Sequence, residues 1–403
     1  MLKLAFRNIF RNRSRTLLTL AAIITGVTAI ILSGGFVEDT FIQLRESTIH
    51  SRIGHLQIFR QGYLEYGQRD PSRYLISDPK QVIDRLRPIP DVKEVMARLN
   101  FSGLANNGQA DLPIIGEGVE PDKEARLGTA ATLVAGRALT GTDAFGVTIG
   151  EGVATALQLQ PGSYLTLMVS TPEGALNTLE FEVVGVFRTF SKDYDDRAVR
   201  IPLAAAQELL STTSVHSLVV LLDDTGATDS VTSTVKGTLG RQSYEVKPWH
   251  ELADFYNKTV ALYKRQFGAL QFIILVMLAL SVASTINMAI FERTGEFGTL
   301  LAIGLRRLQI FKLVLLENIL LGCVGGMLGV SVGVILAAII SGIGIPMPPP
   351  PGSNIGYIAY VRVVPSVLIA AAVIGVLAAS MAAILPGRRA SQLPVVEALR
   401  HNI

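Results

Sequence analysis

The chain has 403 residues, 49% of them hydrophobic and only 17% charged, with 36 Lys and Arg against 33 Asp and Glu for a net charge of +3; its mean hydropathy is +0.41. A charged fraction well below the roughly 25% of soluble domains excludes an ordinary water-soluble enzyme, and the apolar content excludes a disordered chain. The single cysteine, Cys323, excludes an intramolecular disulfide framework and a cysteine-built zinc site.

The length leaves room for two or three domains. Residues 1–15 form a basic segment with Lys3, Arg7, Arg11, Arg13 and Arg15 and no acid. Residues 16–37, 267–291 and 363–386 carry no charge, and a fourth apolar stretch, 313–345, is broken only near its start by Glu317 and Asn318. A bilayer core of roughly 30 Å needs about 20 residues at ~1.5 Å each. Four transmembrane helices are therefore predicted, at 16–37, 265–291, 313–345 and 363–386. The first run exceeds a signal-peptide core of about 7 to 15 residues and is followed by no clear cleavage site, so it reads as an anchor.

Orientation follows from the basic residues. Besides the first segment, Arg293, Arg306, Arg307 and Lys312 lie in 292–312, and Arg388, Arg389 and Arg400 in the tail 387–403. The positive-inside rule makes these three regions, and with them both termini, cytoplasmic, and puts residues 38–264 on the outside of the membrane. That external segment holds 22 basic and 29 acidic residues, a net of −7, and the rest of the chain 14 and 4, a net of +10. No basic patch with a nucleic-acid motif accompanies this polarity, so nucleic acid is not an expected partner.

The external segment reads as a folded α+β domain of two subdomains. Residues 55–59, 164–169 and 179–187 have the alternation or composition of strands, and 215–222 that of a buried one; 79–87, 202–210 and 227–239 read as helices. The predicted fold is thus membrane α-helical, with four transmembrane helices and a large α+β periplasmic domain inserted between the first and second. Trp249, Leu252, Tyr256, Val260, Tyr263 and Phe267 recur at steps of three and four. This predicts one helix of about 65 Å from Trp249 to Phe291. The first span extends outward through Phe41, Leu44 and Thr48. Such stalks either carry motion to the external domain or simply pack against it.

Between spans two and three, Glu292, Arg293 and Glu296 cluster at one end of a short amphipathic helix whose apolar face is Phe297, Leu300, Leu301, Leu305 and Leu308. It suits a groove on a partner, or equally a membrane surface. Within span three, Gly322 and Gly326, and Gly325, Gly329 and Gly333, have small-xxx-small spacing, for close helix packing within the chain or across a dimer. Residues 329–333 also match the hydrolase elbow, a coincidence at mid-membrane with no strand before it. Glu317 at the edge of a span pairs with Arg306 or Lys312, or sits among headgroups. The loop 346–362 is stiffened by Pro346 and Pro348 to Pro351, as a rigid lip or a plain connector.

Catalytic and metal motifs are missing. There is no phosphate-binding G-x-x-x-x-G-K-[ST] and no H-E-x-x-H, and His50, His55, His216, His250 and His401 have no metal spacing. No metal site and no cofactor are expected in this chain, and ATP-driven work would need a separate ATPase.

The turn sequence E-R-x-x-E-[FIV]-G-x-L-x-A-I-G at 292–304, with one span, a large external domain and three further spans, resembles the MacB/FtsX-type ABC transporter permeases, and most of all the lipoprotein-releasing LolC/LolE-like permeases. Supporting stretches lie at 7–12, 54–58, 118–124, 149–154 with 157–159, and 388–400, so the resemblance spans essentially the whole chain. It implies that Glu292, Arg293, Glu296, Phe297, Leu300, Leu301 and Arg306 dock on an ABC ATPase dimer holding ATP and Mg, and that a second permease pairs with this one, as homodimer or heterodimer. By mechanotransmission, ATP-driven closure of the stalks would draw a lipoprotein or similar lipophilic cargo from the outer leaflet towards a periplasmic carrier or adaptor. Phe36, Phe41, Leu44 and Ile49 on the first stalk and Tyr256, Val260, Tyr263 and Phe267 on the second would face it. The turn 171–177 is shorter than the hairpin of the Lol member that recruits the carrier, so a carrier for this chain does not follow. The alternatives are a MacB-like exporter of peptides, antibiotics or lipids with a periplasmic adaptor, and an FtsX-like permease that signals across the membrane.

Overall fold

The computed structural model describes residues 6–8, 11, 13–67, 71–127, 132–189, 191–240, 243–348, 356–392 and 394. The chain divides into two compact units, a helical one of Met1–Ile42, Val260–Pro346 and Ile358–Ile403, and a sheet-containing one of Gln43–Thr259 and Met347–Tyr357. Pro349 to Pro351 of the proline run, and most of the two terminal stretches that support the resemblance, lie outside the described residues.

In the sheet unit the strands are β1 (Leu56–Arg60), β2 (Val92–Asn106), β3 (Asp111–Val119), β4 (Thr132–Gly136), β5 (Gly146–Gly150), β6 (Tyr164–Ser170), β7 (Leu176–Arg188), β8 (Ala198–Pro202), β9 (Ser217–Leu222) and β10 (Tyr244–Pro248). The helices of more than four residues are α1 (Arg13–Thr48), α2 (Pro79–Leu86), α3 (Pro121–Leu127), α4 (Glu151–Ala156), α5 (Leu203–Leu209) and α6 (Thr228–Leu239), followed by α7 (Asp254–Glu292), α8 (Thr294–Ala302), α9 (Arg307–Ile343), α10 (Pro365–Ala382) and α11 (Ile384–Ser391).

One lobe has strand order β10-β1-β9-β2 with every neighbour antiparallel, α2 leading from β1 to β2 and α6 from β9 to β10. This is the split β-α-β arrangement of a ferredoxin-like fold, and the second lobe is inserted between β2 and β9. The pattern of β9 explains its complete burial. Leu218, Val220 and Leu222 pack with Val82, Leu86, Val231 and Val235 under α2 and α6. Val219 and Leu221 point the other way, against Met96 and Leu127. Period-two geometry with both faces covered demands a continuous apolar run.

β2 belongs to both lobes. Val92–Arg98 pairs with β9, whereas Leu99–Asn106 pairs with β3 and β6. From there the ladders β3–β8, β8–β5, β5–β7, β7–β6 and β6–β2 close a circuit of six strands. Its interior is Leu99, Phe101, Val147, Ile149, Leu165, Leu167, Phe181, Val183 and Val199. At the crossing point a buried charge network ties the lobes. Arg98 donates to both oxygens of Glu124 at 2.7 and 2.9 Å, and Arg200 lies 3.3 Å from Glu117 and 5.0 Å over the Phe187 ring. Burial opposes the charge on Arg200, but Tyr194, Glu117 and Glu124 hold its pKa above the usual range.

Among the described residues, α1, α7, α9 and α10 are long and apolar enough to cross a membrane. Strands β1 to β10 of the sheet unit lie between the first two in sequence. Glycines on α9 set the packing. A methyl group at Gly325 would come within 2.8 Å of Ile23, at Gly329 within 2.8 Å of Val27 and at Gly333 within 2.9 Å of Ile31. These three glycines form the groove that seats one face of α1. Gly322 and Gly326, a quarter-turn away, lie against Val376 and Ala372 of α10. The close packing is thus satisfied inside the chain. α7 contributes a single stripe, Leu278, Val282, Ile286 and Ile290.

Two boundaries differ from expectation. The helix predicted from Trp249 is broken at Ala253 (φ −87°, ψ 62°). Trp249 and Ala253 are buried with Ile49, and the turn directs the indole into that cluster instead of along the stalk. α7 alone, 39 residues, is about 58 Å long. α1 ends in a π-helical turn, Ile49–Ile53, closed by the Gly54 N–H on the Ile49 carbonyl at 2.8 Å. Gly54 has φ 69°, and a Cβ there would strike Val219 at 2.4 Å, so only glycine fits. Finally, α9 starts at Arg307, where the Arg306 N–H donates to Gln309 Oε1 at 2.8 Å, so the α7–α9 turn is shorter than 292–312.

Candidate functional site

The turn between α7 and α9 is built around Arg293. α7 ends at Glu292, and the backbone leaves helical geometry at Arg293 (φ −100°, ψ 11°) before α8 begins. The Thr294 hydroxyl donates to the carbonyls of Ile290 and Phe291 at 3.0 and 2.8 Å, holding the bend. Arg293 consequently points inward. Its Nη1 donates to Glu317 Oε2 at 2.9 Å, its Nη2 to Glu317 Oε1 at 3.4 Å and its Nε to Glu296 Oε2 at 3.1 Å. The guanidinium lies 5.0 Å over the Phe297 ring, a cation–π contact. Glu317 also accepts from Asn8 Nδ2 at 2.6 Å, and Glu296 pairs with Arg11. Beside the ion pair is a cavity of about 60 Å³ lined in part by Thr16, Thr19, Thr285 and Asn318.

Glu317 is therefore paired with neither Arg306 nor Lys312. Arg306 precedes the helix and is exposed, and Lys312, five residues from Glu317, projects from another side of α9 into the open. The missed partners are Arg293, brought in by the bend, and Asn8, more than 300 residues away in sequence. A buried acid at a span edge signalled a cation, but nothing in the local pattern said which.

Of the residues expected to dock on a partner, Arg293 and Phe297 do not face outward. Phe297 is 1% exposed within the helix-bundle core, and Leu300 and Leu301 pack partly against that core. Phe297, Leu300 and Leu301 of the predicted apolar face are thus spent inside their own bundle, because burying them there satisfies the hydrophobic requirement, whereas Leu308, on α9, is 60% exposed. Glu292, Glu296 and Arg306 are exposed, and so are Thr299, Ile303 and Arg307. Ile303, 74% exposed, is an outward apolar residue that sequence periodicity assigned to no face.

The expected cargo-facing stripe is largely interior. Phe41 and Leu44 are buried, and Ile49 is fully buried against Trp249 and Ala253, with Tyr256 packed on the same cluster. Lys264 stands 6.0 Å over the Phe41 ring. Phe36, Val260, Tyr263 and Phe267 are half-buried, while Phe255, Leu262 and Leu270 on the flanks of α7 are exposed. A stripe at helical spacing marks the face that packs, so the surface open to another molecule is the flank beside it. The 171–177 turn is a compact hairpin tip, with Thr171 N–H on the Ala175 carbonyl at 2.8 Å.

His55 and His216 serve the fold. His55 Nδ1 accepts from Leu222 N–H at 3.2 Å and its Nε2 meets Thr225 Oγ1 at 3.1 Å; His216 Nδ1 accepts from Asn100 N–H at 3.2 Å. Burial lowers the pKa of each to about 4.

Two family models match this chain: the MacB-like periplasmic core domain over residues 16–238 and the FtsX-like permease C-terminal domain over residues 268–395. The chain belongs to the MacB/FtsX-type ABC transporter permeases. An uncharacterised ABC transporter permease of Methanocaldococcus jannaschii is 22% identical to this permease, over 98% of the chain and 96% of that protein. The lipoprotein-releasing system transmembrane protein LolC of Neisseria meningitidis serogroup B is 25% identical, over 80% of the chain and 76% of that protein. The macrolide export ATP-binding/permease protein MacB of Hyphomonas neptunium is 22% identical, over 98% of the chain and 60% of that protein. The solved periplasmic region of MacB from Actinobacillus actinomycetemcomitans aligns with a TM-score of 0.37 at 18% identity, over 51% of this chain and 94% of that one. Strands β1 to β9 of this permease fall within the periplasmic core match, and α8 to α10 within the FtsX-like match.

Proposed function

We propose that this permease is the membrane subunit of an ABC transporter that extracts lipoproteins or similarly lipophilic cargo from the outer leaflet of the inner membrane. ATP and its Mg2+ would be held by a separate ATPase dimer docked on α8. The observation that carries this reading is the division of labour in α8. Arg293 and Phe297 anchor the helix to the bundle, which leaves Glu292, Glu296, Thr299, Ile303 and Arg306 exposed, with Leu308 beyond them, as a face of mixed charge and exposed apolar side chains. Such a face suits a protein groove, because exposed apolar side chains set among charges of both signs gain by burial against a complementary partner. Two permeases would pair, and α1 and α7, which run on beyond the length a bilayer needs, would transmit the ATPase stroke to the external domain.

The test is co-purification. Ile303→Asp and Glu296→Lys should each lower recovery of the ATPase with the permease at least tenfold while the permease stays folded; full recovery in both would overturn docking through α8. For the cargo, depletion of the protein should leave acylated lipoproteins in the inner membrane. Normal lipoprotein sorting would favour a second reading, a MacB-like exporter working with a periplasmic adaptor. That reading is favoured by the compact 171–177 tip, which offers little for a lipoprotein carrier to grip.

A further inference from the structure

The family motif places its arginine at the start of the docking helix, yet the geometry gives that arginine no outward role. All three guanidinium nitrogens are engaged within the chain, two on Glu317 and one on Glu296, with the ring of Phe297 beneath. Glu317 belongs to α9, so the pair crosses from one helix to the next. The backbone on either side of α8 is bent, at Arg293 (φ −100°) and again at Gly304 (φ 101°). Both bends leave the orientation of α8 to side-chain contacts. Phe297 supplies non-directional packing; Arg293–Glu317 supplies a two-point, directional contact of planar groups, which restrains rotation as well as distance. Asn8 holds the same carboxylate from the N-terminal segment, and Arg11 holds Glu296.

We propose that Arg293 and Glu317 form a latch that makes α8 a rigid appendage of α9, so that a push on α8 moves the helix bundle instead of swinging α8 about its two bends. Arg293 is then a positioning residue, and the contact with the ATPase is made by its outward neighbours. This rests on the reading of α8 as the ATPase dock. The latch itself is measurable without cargo.

Spin labels at Ala302→Cys on α8 and Lys312→Cys on α9, both exposed positions outside the proposed docking face, in a Cys323→Ser background, report the spread of the α8–α9 distance in the permease–ATPase complex. In the parent the distribution should be narrow. Glu317→Gln keeps the shape of the side chain but removes its charge, and should at least double the width while ATPase recovery stays within about twofold. Asn8→Ala, which leaves the arginine contacts in place, should broaden it by less, and serves if Glu317→Gln does not fold. An unchanged width in the folded variants overturns the latch, even if thermal stability falls, because a merely structural pair would weaken the fold without freeing α8. If the parent binds no ATPase, the docking reading fails, and the label width of the permease alone still decides the latch.

Discussion

Gly329 has no room for a methyl group. Its added Cβ would lie 2.8 Å from the Val27 Cβ and 3.2 Å from the Ile24 carbonyl, atoms fixed to the α1 backbone that cannot swing aside. Gly329→Ala should therefore destabilise the bundle by about 1–3 kcal/mol, the usual cost of overpacking. Gly342, on the same helix with nothing within 4 Å, should accept alanine without loss. Thermal unfolding in detergent checks both, and equal behaviour would disprove the close approach of α1 to α9. Phe297 makes a complementary case. It is 1% exposed, so Phe297→Ala should cost about 3–5 kcal/mol, the range for deleting a buried aromatic ring. A docking residue on the surface would instead lose ATPase binding and keep its unfolding temperature.

At the scale of elements, the lobe with strand order β10-β1-β9-β2 carries two buried neutral histidines, each at the start of a strand. His216 precedes β9 and His55 precedes β1, which pairs with it. In the unfolded chain both titrate near 6.5, and in the fold each has a pKa of about 4. Between those values the unfolded state binds more protons than the folded one, so stability falls as pH drops from about 6.5 towards 4. Above 6.5 neither state is protonated and the effect vanishes. The full loss is about 3 kcal/mol per histidine. Denaturation of the intact protein at pH 7.5 and 4.5 should show this fall, and His216→Gln, which keeps an acceptor for Asn100 N–H, should remove about half of it. A stability independent of pH in this window would show that the rings are not neutral in the fold.

Across the whole molecule, the net of −7 in residues 38–264 against +10 elsewhere predicts which side each unit faces. In a Cys323→Ser background, a cysteine at Ser211 in the sheet unit should react with a membrane-impermeant maleimide in spheroplasts. One at Thr299 should react only after permeabilisation. Reaction of Thr299→Cys in intact spheroplasts would invert the topology. Charge polarity of this kind is legible in the linear sequence, as are the spans themselves. Uncharged runs of 20 or more residues and basic flanks are one-dimensional signals, since a bilayer imposes length and charge on each span separately. So is the run 218–222 of β9, because burial on both faces leaves no polar position within it.

The side chains of the turn were legible as a motif, but not their roles. Arg293 could be identified as important, and only the bend before α8 turns it towards Glu317 and Asn8 instead of a partner. The stalk stripe likewise was visible as Phe41, Leu44, Ile49 and Tyr256, and its periodicity is the same whether it packs inward or faces cargo. Strand order, the circuit closed by β6 and the crossing of β2 between lobes depend on pairings far apart in the chain, which local propensity does not encode. The linear chain thus settled class, spans and the identity of the family motif, because solvent and membrane act on short segments one at a time. Which face of each helix is spent on packing, and therefore which residues remain for a partner, was set by the fold, because that choice is made by neighbours distant in sequence.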